Sequence, residues 1–199
     1  MLTNNIELSL EEVAFEPFDC GKYFPDKKKF EVEMGFCSGF FLSEYANKNP
    51  DTGFLGLEYS YKFLARGKKN LMRNLQQDNV RIFCFEGISV IKELIPFNSV
   101  DAIHVYFPDP WPKKKHHKNR TLRFENFVII SNRLKKGGRL YIATDHPEYG
   151  EFIRKEIALT KDFFKQLPYS ETDRTIKTKW EKKQIADGWP INYFLLEKR

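Results

Sequence analysis

Five acidic residues draw attention because each sits at the end of a short apolar run. Glu33 lies within Phe30–Met34, and Glu58 directly follows Gly53–Leu57. Glu86 follows Val80–Phe85, Asp109 follows Ala102–Phe107, and Asp145 follows Arg139–Ala143. Apolar runs of this length suit buried strands. If these are successive strands of one sheet, their tips deliver five carboxylates to a single rim. Each acid also has a plainer role open to it. Asp145, just before His146-Pro147, suits a helix cap, and Glu86 suits an exposed loop.

The first turn narrows the chemistry of that rim. It reads Gly35-Phe36-Cys37-Ser38-Gly39. A dinucleotide pyrophosphate wants GxGxxG and a helix N-terminus, and an acid such as Glu33 beside it would repel the phosphate. The same acid suits a phosphate-free cofactor with an amino group and a sulfonium, which are features of S-adenosylmethionine. Glu58 suits ribose hydroxyls, and Glu86 the adenine amino group. Gly35 and Gly39 then shape the cofactor loop.

The most specific stretch is Phe107-Pro108-Asp109-Pro110-Trp111-Pro112-Lys113-Lys114-Lys115-His116-His117-Lys118-Asn119-Arg120. Three prolines in five positions hold an acid and an indole stiffly at a strand tip. The net charge is +6, from 33 basic and 27 acidic residues. Lys113, Lys114, Lys115, Lys118, Arg120 and Arg123 account for the whole excess, as expected of a polyanion contact; a solvated loop is the plainer alternative. Rings, cations and a fixed carboxylate are what an extruded base and its phosphates require. His116 and His117 are not spaced as metal ligands, so no metal is expected.

The elements that must position these residues follow from periodicity. Tyr61–Gln77 and Phe124–Leu134 carry apolar residues at helical spacing, the second stopping at Lys136-Gly137-Gly138. Strand–helix alternation argues for an α/β fold with an open, mostly parallel sheet covered on both faces, binding its ligand beyond the strands' carboxyl ends. Residues 1–29, with Pro17 and Pro25, read as an irregular N-terminal extension, and residues 30–199 as one domain. The 199 residues and 41% apolar composition suffice for one core. No apolar run approaches a membrane span and no secretory leader is evident, so a cytoplasmic chain without membrane contact is expected. Three scattered cysteines, Cys20, Cys37 and Cys84, suggest neither a disulfide framework nor a zinc site.

On FPDPWPKKKHHKNR, Glu-x-Gly-Phe-x-x-Gly-x-Phe-Leu at Glu33 to Leu42, Gly56-Leu57-Glu58, Ala143-Thr144-Asp145 and Thr178-Lys179-Trp180-Glu181, the sequence resembles the bacterial tRNA (guanine-N(7))-methyltransferases. The resemblance runs from Phe30 to the C-terminus. It implies a Rossmann-like class I methyltransferase fold of about seven strands. It implies S-adenosylmethionine as donor, S-adenosylhomocysteine as product and a variable-loop guanine of tRNA, position 46, as substrate. Residues matching Glu33, Glu58, Glu86 and Asp109 contact the donor in that family, with Asp109 the catalytic candidate. Those matching Lys113, Asp145, Thr178, Lys179, Trp180 and Glu181 contact the substrate. Lys114, Lys115, Lys118 and Arg120 are expected on tRNA phosphates. Three positions depart from the pattern: Cys37 stands where the family usually has Gly, Ser38 where it has a basic residue, and Glu86 where it has Asp. Thr178-x-x-Glu181 is also a capping box, a role that can coexist with substrate contact. No obligate protein partner is implied, and a monomer or homodimer is expected. A methyltransferase for another RNA or a protein, a non-catalytic tRNA-binding protein with a decayed donor site, and a nicotinamide enzyme are the rival readings.

Overall fold

The computed structural model describes residues 6–13 and 16–199. Its strands are β1 (Glu7–Leu8), β2 (Lys29–Met34), β3 (Thr52–Leu57), β4 (Val80–Phe83), β5 (Val100–Tyr106), β6 (Leu134–Thr144), β7 (Phe164–Leu167) and β8 (Asn192–Lys198). Its helices are α1 (Leu10–Val13), α2 (Cys20–Tyr23), α3 (Phe40–Lys48), α4 (Tyr61–Asn74), α5 (Gly87–Glu93), α6 (Phe124–Arg133), α7 (Pro147–Ala158) and α8 (Lys179–Ala186). The sheet order is β1-β4-β3-β2-β5-β6-β8-β7, with β8 antiparallel to both neighbours and every other pairing parallel. The strand order reverses between β2 and β5, and ligands of such sheets bind at that point, beyond the carboxyl ends.

The α/β expectation holds, with eight strands among the described residues where about seven were expected. The added one is β1, which pairs Glu7 with Ile82 and Leu8 with Phe83 at the sheet edge. Residues read as irregular before position 30 thus include a strand and two short helices, and they bury Phe18 and Phe24 in the same core as Phe30. Two residues of strand give no periodicity to read.

The second departure is at Lys136-Gly137-Gly138. These residues do not end a helix. Helix α6 stops at Arg133 and the chain enters β6 at once, pairing Leu134 with Val100 and then Arg139 with Ala102. The intervening residues bulge out of the ladder, and Gly137 takes the positive φ of +75° that the bulge needs.

Buried apolar residues line both faces of the sheet. Phe36, Leu42, Ala46, Phe54, Leu64 and Leu71 pack α3 and α4 on one side. Val90, Ile91, Phe127, Ile130, Tyr149 and Ile153 pack α5, α6 and α7 on the other. In α4 the buried positions Leu64, Gly67 and Leu71 follow helical spacing and leave the opposite side exposed.

Candidate donor cavity and base cleft

Parallel pairing brings Glu33, Glu58, Glu86, Asp109 and Asp145 to the carboxyl ends of β2, β3, β4, β5 and β6, so all five lie along one edge of the sheet. The loop after β2 is built for close approach by a ligand. Gly35, Cys37 and Gly39 have φ of +77°, +47° and +66°. A Cβ on Gly39 would come within 3.0 Å of Leu71, and one on Gly67 within 2.6 Å of the Cys37 carbonyl, so the loop lies tightly on α4. Cys37 adopts a conformation that costs a side-chain-bearing residue about 1–2 kcal/mol. Its N–H nevertheless donates to Glu58 Oε2 at 3.1 Å, so the loop keeps its tie to the second strand tip.

Glu33 is 4% exposed, and its Oε2 has no hydrogen-bond partner among the described residues. Burial pushes its carboxyl up to about 8; Arg174 pulls against that shift and Glu58 adds to it. An acid held so far from its ordinary range, with a bare oxygen, is poised for an incoming cation. Glu33 helps to line a cavity of about 260 Å³ together with Gly35, Cys37, Ser38, Tyr106, Phe107, Thr178, Lys179 and Trp180. Its lining holds both signs of charge, acidic at Glu33 and basic at Lys179, which opens α8.

Glu58 and Glu86 hold the frame. Glu58 accepts from Cys37 N and Ser60 N, using one lone pair on each oxygen and keeping acceptor capacity for a ligand hydroxyl. Glu86 is exposed and caps α5, accepting from Ile88 N at 3.1 Å and Ser89 N at 2.7 Å. The loop-acid alternative for Glu86 therefore becomes a cap.

A second cleft of about 560 Å³ adjoins the first, and Phe107 and Trp180 wall both. Its other walls include Pro108, Asp109, Pro110, Asp145, Gln184 and Trp189. Phe107 and Trp111 have φ of +53° and +45°, so the proline-rich turn is stiff and bent at both ends. Asp109 is exposed and lines this cleft, not the donor cavity. Asp145 Oδ2 accepts from Trp180 Nε1 at 2.9 Å. The cap of α7 is His146, whose Nδ1 accepts from Tyr149 N, so Asp145 is free of that duty.

Two expected contacts sit elsewhere. Arg120 is 1% exposed, and its guanidinium is spent inside the protein. Its Nε donates to Pro110 O at 2.9 Å, its terminal nitrogens bond Glu148, and it lies over Tyr149 and Phe152. It cannot reach a phosphate; it anchors the proline turn. Lys113, Lys114, Lys115 and Lys118 are exposed, the last three on a short 3-10 helix at Lys114–Asn119. Glu181 is fully buried. It takes two 2.8 Å bonds from Arg174 and one from Tyr193, besides closing the capping box with Thr178. Its carboxylate offers nothing to a substrate, and Thr178, Lys179 and Trp180 reach the cavity because Glu181 pins the turn beneath them. Sequence reading passed over Arg174, Tyr106 and Trp189. Trp189 carried a signal, since it follows Gly188, whose φ of +76° turns the chain back after α8.

A glycine-bent first turn, a rim of carboxylates and a strand reversal define a Rossmann-like methyltransferase of class I. Residues 27–192 match a family model described as "Putative methyltransferase". The chain is 34% identical over 172 residues to a tRNA (guanine-N(7)-)-methyltransferase of Corynebacterium glutamicum, covering 84% of this chain and 67% of that one. It is 30% identical over 189 residues to the protein of the same name from Thermotoga maritima, covering 94% and 60%. The chain belongs to this methyltransferase family, and it spans about two thirds or less of the length of these two relatives. The crystal structure of the 16S rRNA methyltransferase KamB shares the fold, with a TM-score of 0.63 at 14% identity over 92% of this chain and 94% of that one.

Proposed function

We propose that the protein transfers a methyl group from S-adenosylmethionine to nitrogen 7 of guanine 46 in the variable loop of tRNA. The observation that carries this reading is the pair of adjoining cavities sharing Phe107 and Trp180, one lined by a buried acid, the other by aromatic rings and carboxylates.

The donor cavity fits the donor's charges. Glu33, with its bare buried oxygen, takes the ammonium group. Lys179 and the first turn of α8 face the carboxylate. Glu58 and Glu86 stand outside that cavity's lining, at the next two strand tips; there Glu58 accepts from ribose hydroxyls, and Glu86 keeps only the capacity its cap leaves for the adenine amino group. When bound, the donor supplies an electrophilic methyl on a positively charged sulfur.

In the adjoining cleft Trp180, Trp189 and the prolines at 108 and 110 stack an extruded guanine. Guanine nitrogen 7 carries a lone pair and no proton, so no general base has to prepare it. What the site must supply is orientation and compensation of charge. Asp109 has both oxygens open to the paired donors at guanine nitrogens 1 and 2, whereas Trp180 already occupies one oxygen of Asp145. Asp109 therefore holds the base edge, and Asp145 fixes the Trp180 wall and takes a second contact. Lys113, Lys114, Lys115 and Lys118 bind phosphates and supply affinity without sequence information. The three free thiols suit a reducing cytoplasm.

The test is labelled methyl transfer to an unmodified tRNA transcript with and without the variable-loop guanine, followed by mapping of N7-methylguanosine. Transfer only to the guanine-bearing transcript is expected. Equal transfer to both, or none to either, overturns the reading.

A further inference from the structure

Helix α4 carries Lys62, Arg66, Lys68, Lys69 and Arg73 and no acidic residue. Lys68 pairs with Glu7. The other four are exposed, and among the described residues none of their side chains makes an ion pair or hydrogen bond. Their spacing is four, three and four, so they fall within about 60° of one another on the helix and form a straight row about 16 Å long. Lys62 and Arg66, Arg66 and Lys69, and Lys69 and Arg73 are like-charge neighbours, each pair unfavourable to an isolated helix. No acid offsets them within the helix, so the row gives the fold nothing in return. At its head Tyr59 and Tyr61 are 78% and 73% exposed, with Phe63 partly exposed beside them. Cations in file next to open rings suit a phosphate chain with bases free to stack.

The row also runs from the site. The opposite side of α4 supports the donor loop, with Asn70 Nδ2 donating to Ser38 O at 2.9 Å. Arg66 lies close enough to Cys37 to act on its thiol electrostatically. Between this loop and the Trp180 wall, Lys179 and Lys182 place their ammonium groups 5.1 and 4.6 Å from the Phe40 ring at the head of α3. Helix α3 in turn packs on α4, so these two ammonium groups and the α4 row border the same pair of helices.

We propose that the α4 row Lys62, Arg66, Lys69 and Arg73, headed by Tyr59 and Tyr61, is a second tRNA-binding track that grips the phosphate backbone at a distance from the methylated base. This rests on the tRNA reading above and extends it to a surface remote from the proline turn.

The test compares two triple variants of equal charge change. Lys62→Ala/Lys69→Ala/Arg73→Ala removes the row but leaves Arg66 beside the donor loop. Lys155→Ala/Lys161→Ala/Lys165→Ala removes three exposed lysines on α7 and around β7, toward the other edge of the sheet. Unmodified tRNA is titrated against each between 50 and 200 mM salt, alongside donor binding and methyl-transfer kinetics. For the α4 variant the tRNA Kd is expected to rise about tenfold, and the slope of log K against log salt to become shallower by about two to three. KM for tRNA rises with Kd, while kcat and donor affinity stay at wild type. The control variant shifts Kd less than about twofold, because net charge alone is a weak, screened effect. An α4 variant that binds like wild type, or both variants weakened alike, overturns the proposal. If the tRNA reading itself is wrong, the wild-type protein fails to form N7-methylguanosine, an outcome independent of how the two triples compare.

Discussion

Titrating donor binding against pH tests the role of Glu33 directly. In the donor-free protein its carboxyl is pushed up to about 8 by burial. A donor ammonium can pair only with the ionised form, which makes up about 1% of the protein at pH 6 and about half at pH 8. Over the same interval the donor's α-amino group, with an ordinary pKa of about 7.7–8.0, falls from fully to about half charged. The product of the two fractions rises about twentyfold, so the affinity for S-adenosylmethionine should climb by that factor from pH 6 to pH 8 and fall again above. Below pH 7 binding should release about one proton per donor, which calorimetry in two buffers of different ionisation enthalpy would detect. Glu33→Gln should bind more weakly at pH 8, with no proton release and little pH slope. Stability supplies a cross-check with opposite sign. An acid whose folded pKa is raised from 4.5 costs stability as pH rises from that value through about 8. The donor-free Glu33→Gln protein should therefore melt higher than wild type at pH 8 and gain little at pH 4.5. A flat wild-type affinity profile, or a slope that survives in Glu33→Gln, refutes the reasoning.

Other substitutions probe the frame around the cavities. Asp109→Ala should lower kcat for tRNA methylation by at least tenfold while shifting tRNA binding less than twofold, read by single-turnover transfer and filter binding. Arg120→Met should cost about 2–4 kcal/mol in a denaturant melt, because a buried guanidinium and its bond to Pro110 are lost, and should lower kcat as the proline turn loosens. Glu181→Gln should destabilise by about 3–5 kcal/mol by leaving Arg174 buried and uncompensated, and Arg174→Met/Glu181→Leu should recover most of that loss. Cys37→Gly should stabilise by up to about 1 kcal/mol, since glycine accepts the left-handed φ without strain, and should tighten donor binding.

Sequence reading succeeded where a pattern is local. Apolar runs marked β2 to β6, and prolines marked a stiff turn at a strand tip, so the five acids and the parallel sheet were legible together. It failed where the partner is distant. Arg120 looked like one more cation in a basic run, and only the fold brings Tyr149, Phe152 and Glu148 around it. Glu181 read correctly as a cap, but its burial on Arg174 and Tyr193 depends on how α8 meets the sheet. Gly137-Gly138 carried a stop signal that the ladder uses as a bulge. The row on α4 was visible in principle as a four-three-four spacing. Counting net charge concealed it, because acids elsewhere balance those cations on paper without touching them in space.

The position of β8 has a consequence for synthesis. Strand β7 leaves the ribosome before β8, yet among the described residues its one neighbour in the sheet is β8, which lies between it and β6. Residues 164–167 must therefore wait unpaired until residues 192–198 have been made and can slot in alongside. The walls contributed by Thr178, Trp180 and Trp189 lie on the stretch between those two strands. A nascent chain can thus pair β2 to β6 before the residues that complete the walls of both cavities have been made.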